Sequence, residues 1–219
     1  MREHVLQFRG DDTPDLGAVL SELKRTGCAI MVAGESRVAR EAMSQRLFGS
    51  PTVDRHRVLL TPSEEYPTEP WLPNGIDRNA VETISVDSPD RSVAVSATPD
   101  GSKLDRARDR LESVIEASQH ELEPAALRVG VHTAAGLIDA HGRESTQSFL
   151  EDVFETVRSH RGMGHIHLGT DPDADLFGMV KPLMDGIVEV RFPEGSQPQQ
   201  RWYIPEYGYT NWVLISPHH

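Results

Sequence analysis

Apolar residues recur along this chain in two rhythms, and their alternation predicts a fold class before any motif is considered. The short unbroken run CAIMVA (28–33) reads as a strand buried on both faces, and LRVGVH (127–132) reads as another strand. VLQF, RHRVLL, AVETISV, SVAVSA, HIHL and GIVEVRF add further strands. Between them lie stretches of helical period. DDTPDLGAVLSELKRTG has Thr13 as a cap, Pro14 at the first helical position and Gly27 as its stop. A second helix covers 37–48 and closes at Gly49-Ser-Pro. A third, 102–122, carries Leu104, Leu111, Ile115 and Leu122 on a stripe interrupted by Arg108. SFLEDVFETVRSH groups Phe149, Val153, Phe154 and Val157 on one face, and a last helix is expected from about Asp173 to Met184. TPSEEYPTEPWLPNG has four prolines in fifteen residues and reads as a long exposed loop. The tail QRWYIPEYGYTNWVLI reads as two strands about a turn, a β-hairpin over about 199–216. Strands alternating with helices predict one α/β layered domain over residues 1–219, with a largely parallel central sheet flanked by helices.

Composition narrows the setting. The 219 residues are 37% hydrophobic and 26% charged, as in globular chains, and no apolar run is long enough to span a membrane. The start, MREHVLQFRGDD, lacks the apolar segment of a secretory signal, so cytoplasmic residence is the expectation. The single cysteine, Cys28, excludes an internal disulfide and reads as a small core residue. Thirty-four acidic residues face 22 basic ones, a net charge of −12, and only Lys24, Lys103 and Lys181 are lysines. Dense carboxylates with few lysines resemble proteins of salt-loving archaea, where concentrated salt screens the repulsion. The same balance argues against a nucleic-acid partner, which needs a basic patch.

The stretch VAGESRVARE (32–41) joins a buried strand to a helix, the setting of a phosphate-binding loop. That loop needs a glycine, four residues, then Gly-Lys-Ser/Thr. Here Gly34 opens the loop and is followed by Ser36 and Arg37, but Ala39, Arg40 and Glu41 occupy the last three places. Ala39 adds a methyl where amides must close on a phosphate, and Arg40 replaces a compact ammonium by a planar fork. Glu41 puts a carboxylate beside the polyanion, a repulsion of about 3 kcal/mol at about 5 Å and an effective dielectric of about 20. The alternative reading of the stretch is an ordinary helix start capped by Ser36 or Glu35. Such loops work with an acid at the end of a later strand that manages Mg²⁺. The corresponding strand ends at His132 and Thr133, and a neutral imidazole is a poor ligand for that ion.

The order VAGESRVARE, LRVGVHTAAGLIDAHG, then GMGHIHLGTDPDADLFGMVKPLMDGIVEVRF resembles the RecA/KaiC-type ATPase core over about residues 25–192, in particular the divergent KaiC-like proteins of halophilic archaea. In that family a lysine and a hydroxyl residue hold the triphosphate and an acid ends the second motif strand. Arg40, Glu41 and His132 stand there in this chain, so the resemblance implies the fold and a habit of self-association rather than ATPase activity.

Three other features remain. His165 and His167 alternate on one strand face, with His160 and Asp171 near in sequence, and could begin a metal site. DPDAD (171–175) lacks the glycine and closing glutamate of a calcium loop and reads as a helix cap. Trp202, Tyr203, Tyr207, Tyr209 and Trp212 form the densest aromatic cluster, a core edge or a partner-binding surface. No GxSxG elbow or paired carboxylates stand out. The leading expectation is a non-catalytic, degenerate ATPase-like protein without a cofactor, acting through a protein partner or self-association at the aromatic tail and the proline-rich loop. The alternatives are binding of ATP and Mg²⁺, with at most weak hydrolysis, through Arg37, Arg40 and the loop amides, and a metal-dependent enzyme centred on His165 and His167. His218 and His219 end the chain and could be native or appended.

Overall fold

β1 (Cys28–Ala33) is the axis of the structure, a computed structural model that describes residues 16–87, 101–118, 122–132, 134–169, 174–205 and 207–216. Cys28 to Val32 are fully buried, as a strand covered by helices on both faces must be. Burial also pushes the Cys28 thiol up to about 12, so it behaves as a core group. β1 is flanked in parallel by β5 (Met163–Leu168) and β6 (Gly186–Arg191). Beyond β5 come β4 (Leu127–Val131), β2 (His56–Thr61) and β3 (Val81–Ser85), all parallel. Beyond β6 the sheet turns antiparallel through β7 (Gln199–Ile204), on which the short β8 (Gly208–Tyr209) and β9 (Val213–Leu214) both pair. The order is β3-β2-β4-β5-β1-β6-β7-β8, so the sheet is mixed and mostly parallel.

Helices cover both faces. α1 (Leu16–Thr26) and α2 (Arg37–Phe48) pack on the face that carries Ile30, Val32, Val188 and Trp202. α3 (Gly101–Glu116), α4 (Ala134–His141), α5 (Arg143–Ser159) and α6 (Ala174–Val180) pack on the face of Met31, Val129, Ile166 and Ile187. Among the described residues no helix is long and apolar enough to cross a membrane.

The caps at Gly27 and Gly49 stand where the sequence puts them, both with positive φ. Arg108 interrupts its apolar stripe because it reaches across to Asp152 of α5, 3.1 Å away. Four expectations change. The helix expected to reach Leu122 ends at Glu116. The helix expected to reach Met184 stops at Val180 and tightens into a 3-10 turn at Lys181–Leu183, where Pro182 removes a donor. α4 was not foreseen at all. The proline-rich segment is not simply exposed, since a 3-10 turn at Glu69–Trp71 buries Trp71 and Leu72 against the α2 side. The VLQF and SVAVSA strands, the Thr13 and Pro14 cap, Thr133, residues 171–173 of DPDAD, and His218 and His219 lie outside the described residues.

Gly164 shows how closely α5 lies on the sheet, because a Cβ there would stand 2.8 Å from the Phe154 ring. Gly164→Ala is expected to destabilise the protein by about 1–3 kcal/mol through overpacking. The shift in denaturation midpoint at unchanged m-value measures it.

Candidate functional site

The chain reverses its winding at the ends of β1 and β5. From β1 the connection through α2 runs out to β2, whereas from β5 the connection through α6 crosses β1 to reach β6. Adjacent strands whose connections part in opposite directions open a crevice at their carboxyl ends, the usual ligand position in open α/β sheets. Gly34 and Gly169 stand on its two sides. A crevice of about 930 Å³ extends from there past Glu189–Pro193 at the end of β6 to Trp212.

Each residue of the expected phosphate loop has a local task. Gly34 is required by its neighbour strand, since a Cβ would fall 2.1 Å from the Val190 carbonyl oxygen. Ser36 caps α2, its Oγ accepting from the Ala39 amide at 3.2 Å. Ala39 is fully buried beneath the helix. Arg40 turns back and donates through Nη1 to the carbonyls of Gly34 and of Glu35, the latter at 3.1 Å. Its second terminal nitrogen reaches toward Gly169, 4.0 Å from the position of an added Cβ. The loop therefore turns carbonyl oxygens toward an internal cation, whereas an anion cradle presents N–H groups. Burial, then the neighbouring Arg37 charge, lowers the Arg40 pKa from its usual value. Glu41 does not stand alone, because Arg37 pairs with it at 2.7 Å across one helical turn. The repulsion expected from Glu41 is thus largely offset within α2.

Beside this loop, α2 covers a polar stretch of sheet. His165 and His167 project from β5 toward α2, and His132 follows the end of β4. The His165 ring meets Phe48 edge-on at 4.8 Å, and its Nε2 lies 3.0 Å from the Ser44 hydroxyl. His167 meets His165 at 5.2 Å and Trp71 at 4.6 Å. Trp71 also meets His132, whose Nε2 lies 2.5 Å from the Tyr66 hydroxyl. Gly130 makes room for this layer, since a Cβ there would stand 2.6 Å from Phe48. Sequence reasoning paired His165 with His167 correctly in space but missed Trp71 and Tyr66, which sit in a segment whose prolines mask the inward turn of Trp71. Among the described residues no group of three His, Cys, Asp or Glu side chains is arranged to hold a metal. His160 lies elsewhere, on the exposed end of α5, bonded to the Thr156 carbonyl.

The aromatic tail divides. Trp202 is a core residue against α1 and α2 and is not available to a partner, which corrects the expectation for it. Tyr203 and Tyr209 meet in a tilted pair at 4.9 Å across β7 and β8, and Tyr207 and Tyr209 are exposed. The Arg201 guanidinium lies over both Tyr209 and Trp212, and Arg191 lies over Trp212 at 4.0 Å. Arg201 is also paired with Glu189 at 2.6 Å.

Together these features define an α/β protein with a mostly parallel mixed sheet, with a crevice at its switch point beside a loop whose carbonyls bind Arg40. Residues 27–190 match the model of the Family of unknown function (DUF7504), and the chain belongs to that family. No match was found among the curated proteins.

The histidine layer sets a pH limit on the fold. Burial holds His165 down to about 3 and His132 down to about 4, and lowers His167 well below its usual value. Unfolded histidines take up protons near pH 6.5, while the folded rings do not. Their contribution to stability is therefore complete above about pH 6.5 and is lost as pH falls toward 4, at about 1.4 kcal/mol per pH unit for each ring. In His165→Asn the slope of unfolding free energy between about pH 6.5 and 4.5 should fall by about that amount. An unchanged slope would mean that His165 is not held neutral.

Proposed function

We propose that the chain is a RecA/KaiC-like protein that has kept the architecture of a phosphate loop without its chemistry, and that it acts by binding a protein partner or a second copy of itself. The observation that carries this reading is Arg40, whose guanidinium is committed to the Gly34 and Glu35 carbonyls. An arginine so held is not presented to a triphosphate, and the carbonyls it binds repel one. His132 supports the same reading, because a neutral imidazole bonded to Tyr66 supplies no hard oxygen for Mg²⁺. The element order and the pairing of β8 on β7 fit the RecA/KaiC-like layout with a terminal hairpin. The contact surface would be the exposed side of the tail, where Tyr209 and Trp212 flank Arg201. The proline-rich segment contributes less than its exposure in sequence suggests, because Trp71 is turned inward.

The crevice beside the loop favours a second reading, nucleotide binding without hydrolysis. Thermal unfolding in molar KCl with ATP and Mg²⁺ separates the two. Under the first reading the melting temperature does not move at nucleotide concentrations where saturating binding would raise it by about 5–10 °C. A rise of that size in the native chain, lost in Arg40→Ala, overturns the first reading and establishes the second.

A further inference from the structure

α1, α2 and the sheet enclose a second, smaller cavity of about 220 Å³, toward the amino ends of the parallel strands and away from the Gly34 loop. Its volume equals that of about seven waters in the liquid. Four basic side chains reach it: Lys24 from α1, Arg46 from α2, Arg55 from the segment before β2, and Arg128 from β4. Among the described residues no carboxylate lines it. In a chain with 34 acidic and 22 basic residues, that convergence runs against the composition.

Part of the charge has an internal reason. Arg128 donates to the carbonyls of Leu47 and Ala125, and Arg57, just outside, donates to those of Phe48, Ser50 and Val53. Both thereby answer the negative end of α2, equivalent to about half a charge. Arg55 uses one terminal nitrogen on the Ala125 carbonyl, while its Nε is buried without a hydrogen-bond partner among the described residues. Lys24 forms no ion pair among the described residues, and its pKa is lowered by burial and then by Arg128, Arg55 and Arg46. The helix end accounts for Arg57 and Arg128 and leaves Lys24 and Arg55 without an acid partner among the described residues. The remaining wall is apolar, with Leu20, Leu23, Met43 and Trp202 facing the same space.

We propose that this cavity binds a small organic anion, its phosphate or carboxylate head held by Lys24 and Arg55 and its compact apolar body packed between α1 and α2. The head restores the missing negative charge, and the apolar wall selects for a body that inorganic anions lack. The site is independent of the Gly34 loop and of any use of it.

Calorimetric titration of the full chain at constant ionic strength tests the proposal with four probes: phenyl phosphate, benzoate, inorganic phosphate and benzyl alcohol. Saturable binding of phenyl phosphate or benzoate is expected, and whichever binds identifies the head. Inorganic phosphate and benzyl alcohol should each bind at least about tenfold more weakly, the first lacking the body and the second the charge. Lys24→Met should weaken the anion at least about tenfold. The same variant should melt higher than the native chain without ligand, because it removes a like charge from the cluster, so lost binding is distinguished from lost folding. Absence of binding by both organic anions, equal binding of either control, undiminished binding in Lys24→Met, or a lower melting temperature for that variant would each overturn the proposal.

Discussion

The structure depends on one constraint: α2 must lie against a stretch of sheet that is polar for a buried surface. Arg57, Arg128, His165 and His167 all project beneath it and all are buried. An unpartnered charge in such a place would be prohibitive. The arginines resolve this by donating to carbonyls at the carboxyl end of the helix, and the histidines by remaining neutral. At the amino end Ser36 and Arg40 complete the attachment. Helix, loop and polar layer therefore stand or fall together, and Gly130 is the notch that admits Phe48 to the arrangement.

The parts legible in sequence were those governed by local rules. CAIMVA became β1 and the helix expected over about 37–48 became α2, because a buried strand has no polar interruption and Gly49 supplies the positive φ that ends the helix. The histidine pair on β5 followed from the two-residue strand period. What escaped were contacts between distant segments. Trp71 sits amid prolines, so its burial under α2 leaves no periodic trace. α4 is eight residues with glycines within and after it, too short to show a stripe. Arg40 was read as a replacement for a phosphate-binding lysine, while its bonds run to its own loop. That difference depends on side-chain direction, which residue spacing does not encode. The cluster of Lys24, Arg46, Arg55 and Arg128 draws on four elements and is invisible in any window of sequence.

Charge distribution and architecture are linked here in an unexpected sense. The acidic excess is a property of the whole chain, yet the α1–α2 side of the sheet is locally basic. Basic side chains thus gather on that side of the sheet beyond what the negative end of α2 requires, the opposite of the chain's overall balance.

The outer margin of β7 also constrains how this molecule meets others. At one end it is bonded to Gly208–Tyr209, at the other to Val213–Leu214, and between them Thr210 exchanges bonds with the backbone of Trp202. Residues 208–214 in effect hem this border of the sheet. Main-chain zippering with a neighbour, the route by which open borders seed fibrils, is closed off on that side. Under the proposed binding role, contact there falls to the rings and guanidinium groups standing above the hem, which favours selective and reversible contact over indiscriminate growth.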